Sequence, residues 1–148
     1  MKFVQAGIDL IKEFEGCALV SYMDNGYYAI GYGHRSGVMP NQTITADQAL
    51  SLLQQDIAVR VNQVTPLLKQ VINDNQFSAI ICLTYNIGIT NFSQSTVLRC
   101  VNAGHYDDAA NAFLLWDKEH GREVPGLLRR RKAERDLFLA PVPFTMNT

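Results

Sequence analysis

Two acidic residues near the N-terminus, Glu15 and Asp24, have the types and the spacing that acid–base chemistry requires. Glu15 ends an amphipathic run and precedes Gly16, whereas Asp24 precedes Asn25-Gly26. A carboxyl group at a helix end and another on a facing hairpin can stand on opposite sides of a sugar linkage, as glycoside hydrolysis requires. Taken singly, each residue is better explained as a solvated surface glutamate or a turn aspartate. The chemical assignment therefore depends on what surrounds the pair.

The sequence predicts a helix before the first acid and a β-hairpin around the second. Apolar residues recur at helical spacing over residues 4–14, and Gly16 suits the left-handed position just past a helix end. Two short runs with aromatic and β-branched residues, 19–23 and 27–32, flank Asn25-Gly26, which is the strongest short hairpin signal. The two acids are therefore expected on adjoining elements.

The rest of the chain is predicted to be helical. Thr45-Ala46-Asp47-Gln48 has the form of a capping box that starts a helix, and Pro66 breaks or restarts that helix. The stretch 75–87 is apolar nearly all round, which is typical of a central helix. A turn is predicted at Val124-Pro125-Gly126 and a last helix over about residues 127–139.

These elements predict an α+β fold that is mostly helical, with one hairpin and about six to eight helices. We expect a single domain over residues 1–148 with a small hairpin lobe at about 15–60. A larger helical lobe at about 61–140 would include the N-terminal helix, and a substrate cleft would lie between the lobes. The polar tail after Pro143 is expected to be frayed.

Composition excludes several classes of function. With 148 residues, of which 47% are hydrophobic and 18% charged, the chain can bury one core. Its formal net charge of -1 provides no general basic field for nucleic acid or for stable membrane association. Cys17, Cys82 and Cys100 form no CxxC pair and do not cluster with the histidines, so free thiols and no metal site are expected. We expect a soluble protein made in the cytosol, because no signal peptide or long apolar stretch is present.

The stretch from Phe14 to His34, FEGCALVSYMDNGYYAIGYGH, resembles the catalytic signature of phage-type lysozymes, the endolysins of glycoside hydrolase family 24. Further motifs similar to the C-terminal lobe of that family follow in order: Asn75-Gln76-Phe77, Tyr85-Asn86-Ile87-Gly88, Ser95–Arg99, Ala112–Trp116, Pro125-Gly126-Leu127, Arg130-Arg131 and Glu134-Arg135. The resemblance covers residues 4–139 and implies a lysozyme-like fold.

The resemblance implies a muramidase that cuts the β-1,4 bond between N-acetylmuramic acid and N-acetylglucosamine in bacterial peptidoglycan. Glu15 would be the general acid, and Asp24 would hold and activate a water with inversion at the anomeric carbon. Retaining or transglycosylating chemistry, in which a carboxylate attacks the sugar directly, stays open as an alternative. Inversion predicts that their carboxyl groups are about 6.5–9.5 Å apart. No metal or cofactor is implied. The protein would be a monomer in the host cytoplasm that reaches the cell wall through a holin-type pore.

Ala29 is the main departure from the family pattern, because the family has a catalytic threonine directly before Ile30-Gly31. The hairpin turn is also one residue shorter than in common members. A methyl group cannot hold a water by hydrogen bonding. Three explanations stay open: an engineered knockout, a natural member in which another hydroxyl acts (Ser21, Tyr28 or Ser36), and a protein that binds glycan without cutting it.

The resemblance also assigns supporting residues. Tyr32, Tyr85 and Asn86 would bind substrate, although an aromatic residue at position 85 is otherwise expected in the core. His34 is expected to form a structural ion pair with a carboxylate of the helical lobe rather than to shuttle protons. Arg130 would reach back to Glu15.

Two alternatives to these assignments concern the last helix. The long arginine stems there could instead pack along the helix with their charged heads in water. The run 129–132 is expected to be a solvated face, which could also attract anionic cell-wall polymers.

Overall fold

The computed structural model describes residues 1–142, so the expectation for the tail after Pro143 lies outside the described residues. Seven α-helices, two short 3₁₀ turns and two small antiparallel hairpins make up this part of the chain, which confirms the mostly helical α+β class. The elements are α1 Gln5–Glu15, β1 Ala18–Asp24, β2 Tyr27–Gly31, α2 Ala46–Val64, α3 Asp74–Ile87, α4 Ile89–Ser93, α5 Thr96–Asn102, α6 Tyr106–Ala112, β3 Lys118–Glu119, β4 Arg122–Glu123 and α7 Pro125–Leu139.

The first helix and the first hairpin follow the local signals closely. Helix α1 ends at Glu15, and Gly16 beyond it has a φ of 66°. Asn25 and Gly26 have φ angles of 49° and 85°, which is the pair of left-handed residues that a tight two-residue hairpin turn requires. Asp24 pairs with Tyr27 directly across that turn, so its side chain lies at the tip of the hairpin.

Helix α2 connects the hairpin to the helical core. The predicted capping box is present, since the Thr45 side chain accepts from the Gln48 backbone N–H and the Gln48 side chain accepts from the Thr45 N–H. Gly31 at the end of β2 lies so close to α2 that an added Cβ would be 3.5 Å from Ala49. The hairpin is therefore packed directly on the N-terminal part of this helix.

Helix α3 is the centre of the core, as its apolar sequence predicts. Eight consecutive residues, Phe77 to Thr84, are buried, and α1, α2 and α7 all pack around the helix. Ser78 and Thr84 satisfy their buried hydroxyls by donating to Asp74 O and Ile80 O within the helix. Helices α1 and α7 also contact each other, so the three helices form one packed unit.

Three local predictions differ from the structure. One hairpin was predicted, whereas the described residues form a second one, β3–β4. A short helix, α4, follows Gly88. The predicted turn at residues 124–126 is wrong, because Pro125 and Gly126 belong to the first turn of α7; proline suits this position since its missing N–H has no partner there. Among the described residues, no helix combines the length and the apolar character needed to cross a membrane.

Candidate active site

A cleft of about 810 Å³ lies between the first hairpin and the helices. Glu15 and Asp24, the two predicted acids, both line it. Helix α2, the C-terminal end of α3 and the β3 strand supply further walls. Other lining residues include Gly33, Arg35, Ser36, Asp56, Val59, Arg60, Tyr85, Asn86, Trp116, Lys118, Glu119 and Leu127.

Glu15 is held at the cleft wall by a loop on one side and a cation on the other. A Cβ added at Gly33 would be 2.9 Å from Glu15 Oε2, so the loop backbone lies directly against the carboxylate. Arg130 Nη1 donates to Glu15 Oε1 at 2.5 Å. The predicted reach of Arg130 back to this glutamate is therefore present in the structure, across 115 positions of sequence.

Arg130 belongs to a buried ion network, formed by Glu15, Arg130, Glu134 and Arg131. Glu134 is fully buried and lies between the two arginines, with Arg130 Nε–Oε2 at 3.1 Å and Arg131 Nε–Oε1 at 2.8 Å. Burial raises the pKa of the Glu134 carboxyl, and the two guanidinium groups oppose that rise. The network has two cations and two carboxylates, so its formal charges balance.

Burial of this network corrects the expectation that residues 129–132 form a solvated face. Arg129 and Lys132 are exposed, but Arg130 and Arg131 point inward and are 3% and 0% exposed. The two guanidinium groups do not extend to water along the helix, because Glu134 and backbone carbonyls accept their hydrogen bonds inside the protein.

Asn86 connects the other end of the network to the cleft. Arg131 Nη2 donates to Asn86 Oδ1 at 2.9 Å, which fixes the amide with its oxygen toward the protein. Within residues 1–142 no acceptor pairs with the Asn86 amide nitrogen. Because Asn86 lines the cleft, its NH₂ group is available to donate to a bound molecule.

Asp24 is paired with a residue that the sequence did not single out. Arg35 Nη2 donates to Asp24 Oδ2 at 2.9 Å, and the guanidinium carbon of Arg35 lies 5.6 Å from the ring centroid of Tyr27. Both charged side chains are nearly half exposed and both line the cleft. Arg35 directly follows the motif histidine, so its position next to the signature was the only sequence signal available.

Ala29, at the family's threonine position, is fully buried and pairs with Tyr22 on β1. Burial raises the pKa of the Tyr22 phenol, the negative charges of Asp24 and Glu15 raise it further, and Arg35 lowers it. The Tyr22 hydroxyl is therefore within electrostatic range of both acids, which sequence reasoning missed.

The three hydroxyls proposed to replace the threonine have different positions. Ser21 donates to Met39 O and accepts from the Gln42 N–H, so its bonds are used inside the hairpin lobe. Ser36 lines the cleft beside both acids. Tyr28 is not among the residues that line the cleft in the described part of the chain.

His34 forms an ion-pair geometry with Asp56 of α2, with Nδ1 2.8 Å from Oδ2, and its Nε2 is 2.9 Å from Ser36 O. The partner of His34 is a carboxylate, as expected. Asp56 lies on the connecting helix α2, however, within the range proposed for the hairpin lobe and not in the helical lobe. Both ring nitrogens are used by these contacts. These contacts hold the loop after Gly33 against α2.

Tyr85 and Tyr32 differ in their relation to the cleft, although a hydrogen bond joins them. Tyr85 lines the cleft, and its hydroxyl donates to Tyr32 O. The prediction that Tyr32 binds substrate is not supported by its placement: the residue does not line the cleft, and its ring lies beneath the Lys12 ammonium at 5.9 Å. Gly31 and Gly33, with φ of 64° and 81°, turn the backbone sharply on both sides of Tyr32.

Within the described residues, no group of three or more histidines, cysteines or acids is arranged to hold a metal ion. The residues that sequence reasoning missed are Tyr22, Arg35, Asp56, Arg131 and the β3 pair Lys118 and Glu119.

Comparison with known proteins gives one consistent result. Residues 12–134 match the Phage lysozyme family. The endolysin of Salmonella phage P22 is 40% identical over 95% of this chain and 99% of its own length. The endolysin of Bacillus phage B103 is 43% identical over 94% of this chain. This chain spans about half the length of the B103 protein and of the similar endolysin of Bacillus phage PZA.

Solved structures agree. A point mutant of P22 lysozyme superposes with a TM-score of 0.82 and 39% identity, covering 95% of this chain and 99% of that one. The muramidase domain of SpmX from Asticaccaulis excentricus superposes with a TM-score of 0.88 and 38% identity, covering 95% of this chain and 99% of that domain.

Proposed function

This chain belongs to the phage lysozyme family, and on that basis we propose that it is a muramidase that hydrolyses bacterial peptidoglycan. The observation that carries the proposal is the position of Glu15 and Asp24 on the wall of one cleft. The bond cut would be the β-1,4 linkage from N-acetylmuramic acid to N-acetylglucosamine.

Glu15 would act as the general acid. Its proton would pass to the glycosidic oxygen as the bond from that oxygen to the anomeric carbon breaks. The carboxylate left on Glu15 would accept from Arg130, whose position is fixed by Glu134. The buried cation would thus stabilise the charge that develops when the acid gives up its proton.

Asp24 would act as the base for an attacking water on the other side of the sugar ring. The water oxygen would bond to the anomeric carbon while its proton passes to Asp24, so that the configuration inverts. Asp24 would then release its proton to solvent, and solvent would return a proton to Glu15. An inverting reaction predicts a separation of about 6.5–9.5 Å between the two carboxyl groups, which leaves room for the water.

The composition of the cleft supports a sugar substrate. Carbohydrates present hydroxyl and acetamido groups as well as apolar ring faces, and the lining offers both kinds of partner. The Asn86 amide and the charged groups of α2 are polar, while Val59, Trp116 and Leu127 are apolar. We propose that Tyr85 and Asn86 contact the glycan.

Binding without cleavage is the second candidate, because Ala29 lacks the family's hydroxyl. It is not favoured: both carboxylates line the cleft, the ion network behind Glu15 is intact, and full-length relatives are named endolysins.

We further propose that the chain acts as a monomer in host lysis, reaching the wall from the cytoplasm through a separate pore. Relatives from Enterobacteria phage P21 and Bacteriophage PS119 are named SAR-endolysins, at 32% and 33% identity, so the release route needs its own test. Expression with and without a co-expressed pore protein provides one. Lysis that requires the pore supports the proposal, whereas equal lysis without it contradicts the proposed route.

Product analysis tests the proposed chemistry. Purified peptidoglycan is digested, and mass spectrometry should find muropeptides that end in reducing N-acetylmuramic acid. Proton NMR of the first products should find the α-anomer if the reaction inverts. Products ending in reducing N-acetylglucosamine would contradict the proposed bond, and a β-anomer would contradict the role of Asp24 as a base. Peptidoglycan that binds the protein and yields no fragments would support the second candidate.

A further inference from the structure

Asp24 needs a partner to hold it, because the position that carries the family's threonine is occupied here by a buried methyl group. Ala29 is fully buried and paired with Tyr22, and it is not among the lining residues of the cleft. Arg35 is the residue that contacts the Asp24 carboxylate instead, through Nη2 and Oδ2 at 2.9 Å.

We propose that Arg35 is a positioning residue for Asp24 and for the attacking water, and that it takes over in this chain the task of the missing threonine. This inference rests on the proposed function. It deepens that function by assigning a group to the one step for which the family pattern is incomplete.

The hairpin holds the arginine in a defined place. Tyr27 pairs with Asp24 across the Asn25-Gly26 turn, so both side chains emerge at the hairpin tip. The Arg35 guanidinium lies 5.6 Å from the Tyr27 ring centroid while it donates to Asp24. An arginine stacked on an aromatic ring and bonded to a carboxylate has fewer rotamers available than a free surface arginine. The three side chains therefore support one another.

The remaining hydrogen-bonding groups suit a water. Arg35 uses Asp24 Oδ2, and within residues 1–142 no donor pairs with Oδ1. Oδ1 can thus accept a proton from a water while another guanidinium N–H donates to the water oxygen. A threonine hydroxyl offers one donor, whereas guanidinium offers five, so a single arginine can serve the carboxylate and the water together.

Exposure of the pair is consistent with this role. The Arg35 and Asp24 side chains are 47% and 42% exposed, and an ion pair so close to water contributes little to folding. A glycan in the cleft would exclude water from the pair and so strengthen the contact. The pair is therefore expected to affect turnover far more than stability. The Tyr22 phenol, which lies opposite Ala29, is within range of the charges of both acids and of Arg35.

Four variants test the inference on purified peptidoglycan, with kcat, KM and the melting temperature measured for each. Arg35→Gln should lower kcat about 10- to 100-fold, the effect of a lost hydrogen bond to a charged group, with KM changed less than about threefold. Arg35→Lys should recover part of the loss, because lysine keeps the charge without the planar fork. Arg60→Gln is the charge-matched comparison: Arg60 lines the same cleft but donates to Gln63, so an effect on KM alone is expected.

The fourth variant, Ala29→Thr, separates this inference from a site that only lacks its hydroxyl. With Arg35 in place, the threonine should raise kcat less than about threefold. A gain of about 100-fold would overturn the inference, and so would a parent-like kcat for Arg35→Gln. An Arg35→Gln variant that loses melting temperature together with kcat would show a structural role and overturn it as well. A parent that releases no reducing ends contradicts the proposed function itself, which distinguishes the two failures.

Discussion

An added methyl group at Gly33 should lower kcat as well as the melting temperature, whereas the same change at Gly37 should lower the melting temperature alone. Its φ of 81° is in the left-handed region, and an added Cβ would be 2.9 Å from Glu15 Oε2. Gly33→Ala therefore combines a backbone penalty with a displacement of the proposed acid. Gly37→Ala is a matched control, because Gly37 has a φ of 71° and no atom within 4 Å of its added Cβ.

The expected sizes follow from these two terms. A left-handed conformation costs a non-glycine residue roughly 1–2 kcal/mol, so both variants should lose about that much stability. For a chain of this size the loss corresponds to a fall in melting temperature of about 3–8 °C. Gly33→Ala must also push the Glu15 carboxylate by about half an ångström to reach an ordinary contact distance. Since a displacement of about 1 Å in a catalytic group can cost about 100-fold, we expect a loss of about 10-fold in kcat.

Thermal unfolding and the release of reducing ends from peptidoglycan measure the two effects. The melting temperatures of the two variants should fall together, while kcat should fall for Gly33→Ala alone. A Gly33→Ala variant with the kcat of the parent would refute the view that the loop at Gly33 sets the position of Glu15. A loss of activity in Gly37→Ala equal to that in Gly33→Ala would refute it too, because loop strain alone would then explain both.

Three further predictions concern the groups around the acids. Tyr85→Phe should lower the free energy of unfolding by about 1 kcal/mol, because it removes the hydrogen bond to Tyr32 O. Burial raises the pKa of Tyr85 above its unfolded value of about 10. Its contribution to the free energy of unfolding is therefore present below about pH 10 and is lost as the pH rises further. Between pH 8 and pH 11 the free energy of unfolding should fall less steeply for the variant than for the parent. Glu134→Gln should lower the free energy of unfolding, measured in denaturant, by about 3–5 kcal/mol, because it leaves buried arginine charge uncompensated. A loss below about 1 kcal/mol would contradict the stabilising role of the ion network. Asn86→Asp keeps the acceptor for Arg131 but removes the NH₂ donor, so kcat/KM should fall about 5- to 10-fold at an unchanged melting temperature; an unchanged kcat/KM would exclude Asn86 from glycan binding.

Short-range signals account for the parts of the fold that sequence predicted well. Asn25-Gly26 determined the hairpin turn, the capping box at Thr45 began α2, and Gly16 ended α1. Each depends on residues within a few positions of one another, so the chain needs no distant contact to express them. Placement of Glu15 and Asp24 on adjoining elements followed from the same local patterns.

The missed features depend on distant parts of the chain. The contact of Arg130 with Glu15 spans 115 positions, so it was expected from the family resemblance alone. The burial of Arg130 and Arg131 could not follow from the charged run in which they lie. The β3–β4 hairpin has only two residues in each strand, Lys118–Glu119 and Arg122–Glu123, and these carry no apolar alternation. The orientation of Tyr32 was missed because it depends on the backbone turns at Gly31 and Gly33 and on the hydrogen bond that Tyr85 donates to its carbonyl.

Replacement of Glu15 by glutamine removes the proposed general acid and leaves its surroundings in place. Glutamine keeps the shape and can still accept from Arg130, so the melting temperature should change little. Its amide has no acidic proton to give to the glycosidic oxygen. The rate at which new reducing ends appear in purified peptidoglycan should fall at least about 100-fold, the lower range for loss of general acid catalysis. A Glu15→Gln variant as active as the parent would contradict the account.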